Sequence, residues 1–85
     1  MKYKHKPTVV DAVQYPNDKG YPAWFVDAIM KAEIWVNSDY DLEIETLDGV
    51  RISSNGDYVI KDTKGEFWFC KSDIFEEIYE VIGDE

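Results

Sequence analysis

Cys70 is the single cysteine of the chain and His5 its single histidine. Nucleophilic catalysis by a thiol needs a base beside it, and the one imidazole stands in a Lys-rich opening far from the cysteine in sequence. Cys70 sits instead in "FWFC", where a free cysteine is expected to behave as a small buried hydrophobe. One Cys and one His supply neither a disulfide nor a zinc set, so no metal and no cofactor is expected. Carboxylates are so frequent, eighteen in all, that their spacing nominates no particular acid–base pair. No Walker pattern or G-x-G-x-x-G fingerprint occurs, and the five glycines stand singly at turns. These patterns point away from an enzyme.

Charge points toward binding. Net charge is −9, yet Lys2, Lys4 and Lys6 fall in a first decade without acids, so the other 75 residues hold six cations against eighteen acids, a net −12. Residues 32–50 and 72–85 contain no Lys or Arg. Direct nucleic-acid binding is not expected, because neutralising phosphates takes a basic face. Aromatic stacking on bases would likewise need a positive groove, which Phe67, Trp68 and Phe69 lack. One reading of the acidic surface is that it keeps the protein soluble. The sharper one is that it docks on a basic protein surface.

The elements that must carry these residues follow from periodicity. "TVVDAVQY", between Pro7 and Pro16, reads as a first strand. "PAWFVDAIMKAE" reads as an amphipathic helix with Pro22 at its first position, an apolar stripe of Phe25, Ala28, Ile29 and Ala32, and an Asp27–Lys31 pair outside. "EIWVN" is a second strand. "DLEIETLDGVRIS" reads as a hairpin with a type I′ turn signal at Asp48-Gly49, one face apolar and the other acidic. A second hairpin surrounds Asp62-Thr63-Lys64-Gly65, and Ser72 reads as the N-cap of a helical turn through "DIFEE". Residues 78–82 fit strand and helix alike.

The chain thus reads as one domain over residues 1–85, α+β, with one amphipathic helix on a curved, mostly antiparallel sheet of about five or six strands. Its expected core is Phe25, Ala28, Ile29, Ile44, Ile52, Val59, Phe67 and Phe75. Adjacent strand residues point to opposite faces, so Phe67 and Phe69 part from Trp68 and Cys70. The set off the core either packs under the C-terminal segment or forms a partner surface, a two-fold homodimer being one such solution. Asp41, Glu43, Glu45 and Trp68 are the candidate binding residues. No apolar run approaches the roughly 20 residues that cross a bilayer, and no signal-peptide segment follows the Lys-rich start, so a cytoplasmic protein without membrane contact is expected.

"GDYVIKDTKGEFWFCKSDIFEEIYEVI", with the opening "KYKHKPTVVDAVQY", resembles a family of small uncharacterised phage and prophage proteins. The family's C-terminal signature runs Pro-Gly-Asp, Tyr or Trp, then Gly-Glu-Phe-Tyr-Pro-Cys-Lys-Pro-Asp-Ile-Phe-Glu and a closing Tyr-Glu. The positions that match include Gly56, Asp57, Tyr58, Gly65, Glu66, Phe67, Cys70, Lys71, Asp73, Ile74, Phe75, Glu76, Tyr79 and Glu80. Asn55, Phe69 and Ser72 stand where the family has prolines. The resemblance covers roughly half the chain and implies a phage-encoded accessory protein in the host cytoplasm, with no activity attached. Combined with the charge, it leads to an acidic interaction module acting on a host protein with a basic surface, for instance an inhibitor of a nucleic-acid-handling or defence protein. The alternatives are a sponge for a nucleotide-like small-molecule signal and a minor structural or regulatory phage protein.

Overall fold

A computed structural model describes residues 9–80 and shows an α+β fold of six strands and two helices among them. Strand β1 (Asp11–Gln14) leads to α1 (Ala23–Met30), then β2 (Ile34–Val36), β3 (Leu42–Thr46), β4 (Gly49–Ile52), β5 (Tyr58–Lys61), β6 (Phe67–Cys70) and α2 (Ser72–Ile78). In place of the single sheet expected, the strands form two antiparallel three-stranded sheets, ordered β1-β5-β6 and β2-β3-β4. Strands β4 and β6 are edge strands of different sheets.

One core joins the two sheets through α1. Phe25 and Ala28 of α1 are buried with Val13, Val59, Ile34, Leu42 and Ile44, and Ile29, Phe67 and Phe69 pack against that cluster. Six of the eight core residues expected from the sequence are in it or against it. Ile52 is not: it is 58% exposed. Phe75 is half-buried and lies apart, stacked on Tyr58 at 3.9 Å between ring centroids and on Tyr79 at 4.8 Å. It fixes α2 to the other face of the β1-β5-β6 sheet, because Tyr58 alternates with the core-facing Val59.

The ends of α1 explain its length. Pro22 is the N-cap rather than the first helical residue, its carbonyl accepting the Phe25 and Val26 amides. At the other end Glu33 N–H donates to the Ala28 carbonyl and Ala32 N–H to that of Ile29, the paired bonds of a Schellman motif. Ala32 therefore adopts φ +59°, leaves the helix, and is exposed instead of completing the stripe. Asp27 and Lys31 pair at 3.0 Å on the solvent side, as their spacing requires. In α2 the N-cap is Lys71, without a side-chain bond, and Ser72 is the first helical residue, one position from where the sequence placed the cap. The helix ends at Ile78 and Tyr79 is extended, so the ambiguous segment is helical only at its start. Residues 81–82 lie outside the described residues.

Candidate functional site

The β3–β4 hairpin decides what the acidic surface looks like. Its two-residue loop is Leu47-Asp48, with Thr46 opposite Gly49, one residue earlier than expected. Gly49 takes φ +112°, while neither loop residue has a positive φ, so the loop is not a type I′ turn. The Thr46 hydroxyl holds it, donating to the Gly49 carbonyl at 2.8 Å and accepting the Asp48 amide at 3.2 Å. At the open end Ser53 locks the pair: its amide donates to the Leu42 carbonyl and its buried Oγ accepts the Leu42 amide.

With this register Glu45 faces Val50 and Glu43 faces Ile52. Directly opposed residues share a face of the sheet, so the carboxylates and the two aliphatic side chains point the same way, away from Leu42 and Ile44. The expected split into an apolar face and an acidic face therefore does not occur. Val50 and Ile52 are more than half exposed and alternate with carboxylates across the outer face. Trp35, opposite Glu43 on β2, completes it.

The candidate residues are not equivalent on that face. Both Glu43 oxygens are engaged: Oε1 accepts Trp35 Nε1–H at 3.0 Å and Oε2 accepts Asn37 Nδ2–H at 2.8 Å. Such bonds to an ionised group stabilise by about 1.5–3 kcal/mol, so Glu43 works first as a brace between β2 and β3. Glu45 is exposed. Asp41 is half-buried beside the Asn37 turn, its amide donating to Asn37 Oδ1 and its carbonyl accepting the Asn37 amide. Trp68 belongs to the other sheet, on the face away from the core, 49% exposed, with Nε1 donating to Asp62 Oδ2 at 3.1 Å. The structure thus brings Glu43 and Glu45 together on one sheet face and places Trp68 on the other sheet. Trp35, Val50 and Ile52 were missed in the sequence, although the parity of a two-residue loop already dictates where β4 points.

Trp68 and Glu45 meet at a cleft between the sheets. This opening, about 440 Å³, is lined by Trp35, Glu45, Arg51, Glu66, Phe67 and Trp68 among others. A second cleft of about 370 Å³, sharing Arg51 and Trp68, adds Lys71 and Phe69. Arg51 is exposed and 4.0 Å from Asp48.

Asp62 organises the neighbouring hairpin. Its carboxylate accepts the Trp68 indole N–H and the Lys64 and Glu66 amides, bonds that hold its carboxyl below the usual carboxylate range. Cys70 is half-buried, and burial together with the Asp57 and Asp73 charges pushes its thiol up. That is the reverse of what activates a nucleophile. His5, the only base the sequence offered it, lies outside the described residues.

Among the described residues no three His, Cys, Asp or Glu side chains converge to hold a metal ion, and no helix is long and apolar enough to cross a membrane. Compared with protein-family models, curated proteins and solved structures, the chain matches none.

Proposed function

We propose that this chain is a non-enzymatic phage or prophage accessory protein that acts in the host cytoplasm as an acidic interaction module on a basic host protein. The observation that carries the reading is the outer face of the β2-β3-β4 sheet, where Glu43 and Glu45 share one surface with Trp35, Val50 and Ile52. A surface serving only solubility gains nothing from exposed Val and Ile between its carboxylates. A docking surface does: apolar side chains supply contact area and the carboxylates steer and orient a basic partner. The raised Cys70 thiol agrees with the non-enzymatic part. The phage origin rests on the resemblance carried by the C-terminal motif.

A second reading, a sponge for a nucleotide-like signal, draws on the smaller cleft. Arg51 and Lys71 lie there with Trp68 and Phe69, cations beside aromatic rings. The first reading takes precedence because acids outnumber cations by sixteen to six over residues 9–80.

The test is capture from host lysate at low and at high salt, followed by identification of small molecules that co-purify. The reading expects a basic protein, lost at high salt and lost when Asp41 and Glu45 are neutralised. Co-purification of a nucleotide-like metabolite with no protein captured would overturn it in favour of the sponge.

A further inference from the structure

Among the described residues no further strand pairs with the β4 or the β6 edge. Ser53 N–H donates to the Leu42 carbonyl, which fixes Leu42–Ser53 as a hydrogen-bonded pair. By antiparallel alternation Ile44–Arg51 and Thr46–Gly49 are hydrogen-bonded as well, so the N–H and C=O of Val50 and Ile52 point away from β3. In the other sheet the Asp62 amide donates to the Glu66 carbonyl. Ile60–Trp68 and Tyr58–Cys70 are then the hydrogen-bonded pairs, and the backbone groups of Phe67 and Phe69 point away from β5. Among the described residues these outward donors and acceptors have no strand partner, and Ile52 of β4 and Phe67 and Phe69 of β6 line the clefts that the two strands share. Edge protection is sparse: β6 carries neither proline nor charge, and β4 carries Arg51 as its one charged residue.

We infer that this cleft takes an extended segment of a basic protein, which adds as a strand to one of the two edges, β4 or β6. The inference rests on the proposed docking function and names its mode. Backbone pairing supplies attachment without sequence preference, and side chains alternating along the added strand supply selectivity. Charge selects the occupant. Glu33, Glu45, Asp48 and Glu66 surround the larger cleft with Arg51 as the only cation in its lining, and Trp35 and Trp68 offer ring faces to a guanidinium or ammonium group. A second copy of this chain is disfavoured as occupant, since six cations against sixteen acids in residues 9–80 make two copies repel.

The test uses the intact protein and a labelled eight-residue peptide of alternating arginine and valine. Its control is the same peptide N-methylated at two adjacent central residues, which keeps every charge but blocks hydrogen bonding along both edges. Anisotropy is expected to show the parent peptide binding roughly two- to tenfold tighter than the methylated one, the loss of the one backbone bond that faces whichever edge it pairs with. Amide exchange at Val50 and Ile52, or at Phe67 and Phe69, is expected to slow on binding. Equal binding of both peptides would overturn strand addition and leave the acidic docking reading standing. Binding of neither would also overturn it, and if polylysine failed to bind as well, the docking reading would fall with it. A concentration-dependent dimer mass without peptide would overturn the choice of occupant.

Discussion

Val50 stands directly opposite Glu45 in the β3–β4 ladder, so a β-branched apolar side chain and a carboxylate share the outward face of the sheet. The same register sends Ile44 inward, where it is 2% exposed, and Ile52 outward. Residues on the two faces should respond to substitution very differently. Ile44→Ala is expected to cost about 2–5 kcal/mol as a core truncation, whereas Ile52→Thr, which keeps the branched β-carbon, should stay within about 0.5 kcal/mol of wild type. Urea unfolding of the two variants checks this. Comparable losses would mean that Ile52 faces the core after all.

Ala32 holds a conformation that suits glycine. It occupies the left-handed position after α1 at φ +59°, where the β-carbon costs roughly 1–2 kcal/mol. Ala32→Gly should therefore raise the thermal midpoint, the relieved strain exceeding the added entropy of the unfolded chain. A lower midpoint would contradict the Schellman geometry.

What the sequence revealed and what it concealed divide at this kind of detail. The stripe of α1, the strand at "EIWVN" and both hairpins were legible because apolar spacing and turn residues act locally. The outward direction of Val50 and Ile52 follows from arithmetic rather than hydropathy: a loop of two residues pairs odd positions with even ones, so Ile52 cannot share a face with Leu42 and Ile44. Expecting an apolar face there gave hydrophobicity more weight than register. The division into two sheets was hidden because no local pattern tells whether β4 and β6 pair with each other. Of the candidate site, Glu43 and Glu45 were legible as alternating acids. The Trp35 and Asn37 bonds that occupy Glu43 depend on the β2–β3 pairing and left no mark in the spacing.

Asp62 should make the second hairpin sensitive to acid. Its folded-state pKa is depressed, first by the Trp68 indole bond and then by the Glu66 amide. A depressed carboxyl contributes stability that is complete above the unfolded value of about 3.9 and is lost as pH falls through the folded value below it. Asp62→Asn is expected to be less stable at pH 7 and to show a flatter stability profile below about pH 4. Chemical unfolding across pH 2.5–7, approximately that titration range, makes the comparison. An unchanged profile would show that the carboxylate charge adds nothing.

Cys70 should react slowly with iodoacetamide at neutral pH. Burial and the Asp57 and Asp73 carboxylates raise its pKa, so the thiolate fraction at a given pH falls below that of a free cysteine. Asp57→Asn and Asp73→Asn should each speed alkylation. Alkylation of the folded protein as fast as that of free cysteine would reopen a chemical role.

The central claim is that the outer face of the β2-β3-β4 sheet docks a basic protein. It is tested most directly by titrating the captured partner into wild type and into an Asp41→Asn, Glu45→Gln variant over a range of salt. Glu43 is left in place because it braces Trp35 and Asn37. Two exposed ion pairs at about 0.2–1 kcal/mol each predict a roughly two- to thirtyfold loss of affinity at low salt. That loss should shrink as salt shortens the screening length below about 10 Å. Equal affinity of variant and wild type at every salt concentration would contradict the account.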